Sequence, residues 1–392
     1  MSQYPPLWPA EVEARVRAEA RNLDPQQVPD RVVMCKKCVV TNQRPRITFD
    51  VAGVCSACRY WERKANGIDW KAREKELQAL LNKHRRSSGY DVIVPASGGK
   101  DSSMVAHRLK HDYGMRPLCV KFAPFIYTDV GRRNWEALAH AGFDCIEARP
   151  NGLMHRRLAR LSLEYLGDPF DPFVFGQLAL PLHTAAQLGV TLVMGAENGS
   201  NEYGGDTTDK PQWDYDDWDR VYLKGEGVER LLRLAYPLGI ALPKGGLSSS
   251  YWLPSRESLD DIEYHHLGYY LPHWPMDNFY RAQEHCGFTP DDQRSEGTYT
   301  RFASLDDKLD GLHYFFAFLK FGIGRCTSDS AQQVRAGDIT RDEALALVAR
   351  YDGEMPVKHL DECLDYLGMD QTQLGVVMER FRRTGVTARK VA

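Results

Sequence analysis

Hydrophobic and polar positions change texture several times along the 392-residue chain. Between Tyr90 and Gly195, short β-rich runs alternate with stretches of helical spacing. DVIVPA (91–96), RPLCVKF (116–122), FDCIEAR (143–149) and VTLVMG (190–195) read as strands. SMVAHRLKHDY (103–113), NWEALAHAG (134–142), 153–166 and 174–188 read as helices. This alternation predicts an α/β fold with a doubly wound parallel sheet. Ligands of such sheets bind beyond the carboxyl ends of the strands. Upstream, residues 69–86 hold good helix formers throughout and predict a linker helix, broken by Ser87, Ser88 and Gly89. A polar arm precedes it, with a short helix over Ala10 to Leu23 closed by Asp24 and Pro25. Residues 241–300 are rich in Pro, Gly, Tyr and Trp and read as irregular. Helical spacing returns at 304–321, 341–351, 357–367 and 371–383. The expected organisation is an arm (1–30), a cysteine-rich ribbon (31–66), a linker helix (67–89), a sheet domain (90–240) and a mainly helical region (241–392).

Composition narrows the function classes. Hydrophobic residues make up 43% and charged residues 26%, as in ordinary globular proteins rather than disordered ones. Fifty basic residues against fifty-three acidic ones give a net charge of −3, which argues against a general nucleic-acid coat. No apolar run approaches the roughly 20 residues of a membrane span. Residues 1–30 contain no apolar stretch like that of a signal peptide, so a cytoplasmic location is expected.

Nine cysteines are unevenly placed. Cys119, Cys145, Cys286, Cys326 and Cys363 stand singly, whereas Cys35, Cys38, Cys55 and Cys58 form two C-x-x-C knuckles. Four thiolates at this spacing suit a tetrahedral zinc ion, with Gly53 allowing the tight turn before the second knuckle. Such a closed site stabilises rather than catalyses. An iron–sulfur cluster is also compatible with four thiolates.

Residues 92–103, VIVPASGGKDSS, run from a strand into a helix. Gly98 and Gly99 let the backbone approach an anion, and the helix start aims free N–H groups at it. Ser97 and Ser102 add hydroxyl groups, and Lys100 adds positive charge. A Walker loop would need glycine at Val94 and Ser or Thr at Asp101, and no G-x-G-x-x-G is present. The residues SGGKDS resemble the loop of the PP-loop ATP pyrophosphatases (adenine nucleotide alpha hydrolase-like fold). That resemblance implies binding of ATP through Ser97, Gly98, Gly99, Lys100, Asp101 and Ser102. It further implies attack of a substrate oxygen on the α-phosphate, release of pyrophosphate, and Mg2+ on the phosphates.

Two further stretches carry candidate chemistry. The strand ending at Gly195 leads into AENGSNEYGGD, whose Glu197, Glu202 and Asp206 would hold magnesium or orient a nucleophile on the active edge of the sheet. In 304–321, read as one helix, Asp306, Asp310, His313 and Lys320 share a face opposite Leu305, Leu309, Leu312, Phe316 and Leu319. Asp310 and His313 on that face would contact substrate, metal or nucleophile.

Taken together, CKKCV, RPRITFD, GVCSACRYWE, VPASGGKDSS, GAEN, EYGG, YLPHW and RSEGTYTRF through FGIGRCTSD resemble the N-acetyl sugar amidotransferase family. The likeness runs from about Met34 to Asp352. It implies conversion of a sugar's acetamido group to acetamidino in bacterial surface-polysaccharide or flagellin-sugar assembly. The amide oxygen would be adenylylated and ammonia would then displace AMP. The sugar would be nucleotide-linked or a nonulosonic acid. The chain shows no G-x-C-x-G elbow and begins Met-Ser rather than Met-Cys, so ammonia would come from a separate glutaminase and cyclase-like pair. A PP-loop tRNA thiolation enzyme is the competing reading. It would need a catalytic cysteine or cluster beside ATP and a broad basic face, beyond the local patches KHRR (83–86) and HRRLAR (155–160).

Overall fold

The computed structural model describes residues 3–23, 28–196, 199–205, 210–218, 226–241, 245–272 and 274–386. Six strands form one sheet: β1 (Val92–Pro95), β2 (Pro117–Phe122), β3 (Asp144–Ala148), β4 (Leu192–Gly195), β5 (Gln212–Trp213) and β6 (Glu263–His266). Their spatial order is β3-β2-β1-β4-β6-β5, and every pairing is parallel except β5 on β6. The order runs outward from β1 in one direction through β2 and β3, then reverses to β4. That reversal creates a crevice at the carboxyl ends of β1 and β4.

Helices cover both faces, as expected for a doubly wound sheet. In chain order they begin with α1 (Ala10–Glu19), α2 (Ser56–Asn66), α3 (Trp70–His84), α4 (Lys100–His107), α5 (Asp129–His140), α6 (Gly152–Leu166) and α7 (Asp171–Leu188). Four shorter ones follow: α8 (Gly199–Tyr203), α9 (Tyr215–Trp218), α10 (Glu229–Ala235) and α11 (Arg256–Leu259). The last seven are α12 (Leu267–Tyr270), α13 (Pro275–Cys286), α14 (Asp310–Phe321), α15 (Arg325–Ala336), α16 (Arg341–Tyr351), α17 (Leu360–Leu367) and α18 (Gln371–Phe381).

The period-two alternation of β1 explains the two cores. Val92 and Val94 pack with Leu77 and Leu81 of α3 and Met104 and Val105 of α4. Ile93 faces the other way, into a larger core with α6, α7, α14, α17 and α18. The amino-terminal arm is part of that second core through Leu7, Trp8 and Val16. Arg160 of α6 is fully buried there, bound to Glu164 and Glu13. Among the described residues no helix is long and apolar enough to cross a membrane.

Two expectations change. Residues 241–300 are more regular than their composition suggests, because β6 extends the parallel sheet beside β4 and α13 packs along α4. The helix expected at 304–321 starts only at Asp310. The Asp307 carboxylate accepts the backbone N–H groups of Phe125 (2.6 Å), Ile126 (3.3 Å) and Leu309 (3.0 Å). Residues 304–309 are thereby stitched to the loop after β2 instead of continuing a helix. The four-residue polar face therefore does not exist, since Asp306 lies before the helix.

Candidate active site

The phosphate loop leaves β1 at the switch point. Gly98 has φ +83°, and a Cβ there would stand 2.8 Å from the Trp135 nitrogen and 2.9 Å from the Asn134 carbonyl carbon. Only glycine satisfies both the left-handed backbone and that approach. The loop holds its own shape: Gly99 N–H donates to Ser97 Oγ (3.2 Å), and Ser102 Oγ donates to the Gly99 carbonyl (3.3 Å). No side chain caps α4, so its first N–H groups remain directed at the cavity in front of the loop.

Lys121, near the end of β2, braces this loop from below. Its Nζ donates to the Ser97 carbonyl (2.9 Å) and lies over the rings of Tyr127 (4.7 Å) and Trp135 (5.2 Å). Burial lowers its pKa, against the raising influence of Asp306, Glu147 and Asp307. Lys100 Nζ binds Asp101 Oδ2 (2.5 Å), while Asn278 Nδ2 of α13 donates to Asp101 Oδ1 (2.9 Å). One oxygen of Asp101 thus has a cation beside it, and α13 holds the other.

Two cavities meet at the loop. One of about 180 Å³ is lined by Ser97–Asp101, Tyr203, Thr300, Asp306, Arg325 and Asp329. The other, about 300 Å³, runs over the ends of β1, β2 and β4 past Lys121, Gln177, Ala196 and Tyr264. Ser97, Gly99 and Asp101 belong to both walls. A group bound at the loop would therefore be reached from both sides.

The wall facing the loop is stapled together. Asp329 accepts from Thr298 Oγ1 (2.7 Å), Thr300 Oγ1 (3.3 Å) and Arg325 Nε (2.9 Å). Arg294 grips Glu354 through two nitrogens, at 2.7 and 2.6 Å, and Glu354 also accepts Gly297 N–H. Asp352 takes the N–H groups of Gly324 and Thr327, which caps α15 and orients Arg325.

This stapled wall opens a span with known relatives. Residues 296–387 match the family model described as LPS biosynthesis protein WbpG-like, C-terminal domain. The span contributes Thr300, Asp306, Arg325 and Asp329 to the cavity in front of the loop. No curated protein matches the chain. Among solved structures it is similar to the U34-tRNA thiolase NcsA from Methanococcus maripaludis with its [4Fe-4S] cluster. That likeness has 12% identity and a TM-score of 0.28, covering 82% of this chain and 89% of that one.

Several predicted site residues stand elsewhere. Glu197 and Asp206 lie outside the described residues. Glu202 does not line the loop cavity; its buried carboxylate takes a hydrogen bond from Lys64 Nζ of α2 (2.8 Å). Lys64 is itself held against the rings of Trp61 (4.3 Å) and Trp274 (4.9 Å). Burial raises the Glu202 pKa, and Lys64 opposes that rise. In this position the carboxylate fastens α8 onto the ribbon.

Asp310 and His313 also lie away from the loop cavity. Burial raises the Asp310 pKa, and His313 and Arg325 oppose it. His313 Nδ1 stands 2.9 and 2.8 Å from the two Asp168 oxygens. Burial pulls its pKa down, but Asp168 outweighs that and the net shift is upward. The pair's stabilisation is therefore complete below the unfolded value of about 6.5 and is lost as pH rises through the raised native value. Melting midpoints between pH 6 and 9 should show wild type losing its advantage over Asp168→Asn toward the alkaline end. A pH-independent difference would refute the assignment.

The four predicted metal ligands do converge. Their sulfurs all lie within 4.8 Å of one another, with Cys35–Cys58 at 3.9 Å and Cys38–Cys55 at 3.7 Å. Backbone N–H groups of Lys37 and Cys55 point at the Cys35 sulfur, and Arg335 Nη2 stands 3.6 Å from that of Cys38. Such donors are what a negatively charged thiolate centre needs. Sequence reasoning missed Lys121, Tyr203, Asn278, Arg325 and Asp329. The first sits within an apolar strand, and the others owe their position to chain pairings far apart in sequence.

Proposed function

We propose that this protein is an ATP-dependent, AMP-forming amidotransferase that converts the acetamido group of an N-acetylated sugar into acetamidino. The observation that carries the reading is the placement of the WbpG-like span: its Thr300, Asp306, Arg325 and Asp329 form the wall opposite the SGGKDS loop. ATP lies along the two joined cavities with its phosphates at the loop. The α4 N–H groups, Ser97, Ser102 and Lys100 hold the pyrophosphate end. Asp101 and Asp306, carboxylates lining the cavity in front of the loop, would hold Mg2+. When bound, that ion neutralises charge accumulating on the leaving group.

The chemistry balances in two steps. The sugar amide oxygen attacks the α-phosphorus and pyrophosphate leaves. Ammonia then adds to the activated carbon, AMP leaves, and a proton is lost to solvent. An amide carbonyl is a poor electrophile, and adenylylation turns its oxygen into a leaving group. Ammonia is supplied by a separate glutaminase and cyclase-like pair, and the protein works in the cytoplasm on surface-polysaccharide or flagellin sugars.

The four thiolates hold a structural Zn2+. A tetrahedron with Zn–S bonds of about 2.3 Å has sulfur–sulfur edges of about 3.8 Å, close to the spacing here. An iron–sulfur cube, with one thiolate on each iron, would spread the sulfurs wider. The thiolation reading gains no support from the remaining cysteines. Cys119, Cys286, Cys326 and Cys363 are buried, Cys145 is half-buried, and none lines either cavity at the loop.

The purified protein should release AMP and pyrophosphate from MgATP only with both ammonium and an acetamido sugar present. Mass spectrometry should show O replaced by NH in the sugar. Failure to form AMP with any acetamido sugar, free or nucleotide-linked, would sink the proposal.

A further inference from the structure

A third cavity, of about 430 Å³, opens between the ribbon and α14, and meets the loop cavity at Tyr203 and Arg325. Its described lining includes Arg44, Arg46, Arg325 and His313, and no carboxylate. Of the nearby described acids, Asp329 is paired with Arg325, Asp168 with His313 and Glu202 with Lys64, while buried Asp310 acts on His313 and Arg325. At the N-terminus of α15, Asp352 accepts the N–H groups of Gly324 and Thr327 and the Gly297 carbonyl accepts that of Cys326, so this helix start offers few donors here. Positive charge in this cavity therefore resides on side chains.

Arg44 makes that charge informative. Its Nε donates to the Gly204 carbonyl (2.8 Å), and its guanidinium lies 5.8 Å from the Tyr203 ring centroid. No acidic partner meets it among the described residues. Burial, with the Arg335 and Arg46 charges, pushes its pKa down to about 10. Arg46, two residues on, holds a left-handed backbone (φ +64°) unusual for a residue with a Cβ. A half-buried guanidinium kept near other cations, with its fork unused by any described carboxylate, is a charge short of compensation. An incoming anion would relieve it, and guanidinium groups bind carboxylate or phosphate oxygens in pairs.

We infer that this cavity is a subsite for an acidic group of the substrate, a carboxylate or phosphate carried by the sugar, with Arg44 as its principal ligand and Arg46, Arg325 and His313 around it. The inference rests on the proposed reaction in one respect, that the loop cavity next door receives the acetamido group. Tyr203 and Arg325 then stand at the junction between the reacting end and the anionic end. The cavity lies within the usual size range of small-molecule sites.

Calorimetric titration of the full chain tests this directly. The probes are N-acetylglucosamine, N-acetylglucosaminuronic acid, UDP-N-acetylglucosamine and UDP-N-acetylglucosaminuronic acid. At least one acidic probe should bind and the neutral sugar should bind far more weakly. Arg44→Gln should weaken the acidic probe about 30-fold or more, as loss of a charge-assisted contact predicts. Because Arg44 also bonds Gly204, a second variant, Ser328→Asp, places a competing carboxylate in the same cavity without removing that bond. It should weaken acidic probes similarly while leaving ATP affinity within about twofold. Loss confined to uronic acids identifies a carboxylate site, and loss with UDP-N-acetylglucosamine identifies a phosphate site.

The inference is overturned if no acidic probe binds, if the neutral sugar binds equally well, or if Ser328→Asp changes nothing. The two readings fail separately. AMP formed from a sub-saturating acidic acetamido sugar equally fast by wild type and Arg44→Gln would retain the reaction and remove the subsite. Arg44-dependent binding without AMP from any sugar would do the reverse.

Discussion

Cys58→Ser is expected to release the metal and to disable the phosphate-loop cavity, although no cysteine of the cluster lines it. Cys55 stands at the N-cap of α2 and Cys58 lies in its first turn, so an ion bound there would fix where that helix begins. From there α2 carries Trp61 and Lys64 to α8, where Lys64 holds Glu202 and Trp61 Nε1 donates to the Glu202 carbonyl (3.3 Å). The same knot grips α15 and α16. Ala331 and Ala344 pack on the cysteines, and Arg341 donates to the carbonyls of Cys35 and Cys38. Arg335 bridges the Cys38 sulfur and the Glu202 carbonyl. Two elements bordering the cavity, α8 through Tyr203 and α15 through Arg325 and Asp329, would therefore depend on the ion. Metal binding in such small sites supplies folding free energy outright, on the order of 10 kcal/mol. Its loss should exceed what the ribbon can bear. Elemental analysis should report metal loss, and hydrogen exchange should rise at 199–203 and along α15. Full wild-type turnover by a metal-free variant would overturn this account.

What the sequence disclosed and what it hid follow from the range of the interactions. The knuckles and the SGGKDS turn are local: a few consecutive residues must each suit one backbone path, as Gly98 illustrates. The strands β1, β2 and β4 are buried on both faces and read as continuous apolar runs. By contrast β6 is Glu-Tyr-His-His, polar on its surface, and only its place beside β4 makes it a strand. His266 there is wholly enclosed, with burial pushing its pKa down to about 3. The face proposed for 304–321 failed for a similar reason. Helical spacing is satisfied by Asp306, but the next residue, Asp307, accepts from two backbone donors about 180 residues away in the chain, as well as from Leu309, and the helix begins only afterwards. Glu202 was drawn toward catalysis by its neighbours in sequence, whereas its partner Lys64 lies in the ribbon. Residue type told which groups carry charge. Which of them face the cavity was decided by pairings that periodicity does not record.

Lys100→Ala should lower ATP-dependent AMP formation about a thousandfold, equivalent to roughly 4 kcal/mol of lost stabilisation, with little change in the melting midpoint. Two losses act in the same direction. The substitution removes the cation at the head of α4, where the phosphates arrive. It also leaves Asp101 with the neutral Asn278 amide in place of the ammonium, so the carboxylate at the phosphate loop is no longer offset by the 2.5 Å ion pair. Repulsion of polyphosphate by Asp101 should then appear as weaker ATP binding as well as slower turnover. Lys100→Arg keeps the charge but not the compact ammonium, and should recover part of the ATP affinity and less of the rate. Asn278→Ala isolates the other half of the arrangement. It removes the α13 contact while leaving Lys100 on Asp101, and its effect should be about tenfold. If Lys100→Ala bound ATP as wild type and formed AMP at a comparable rate, the loop would be a turn between strand and helix and nothing more. The same titration also tests whether magnesium matters through Asp101. Raising the ion's concentration should partly restore ATP affinity in Lys100→Ala, because a divalent cation can replace the missing charge at that carboxylate.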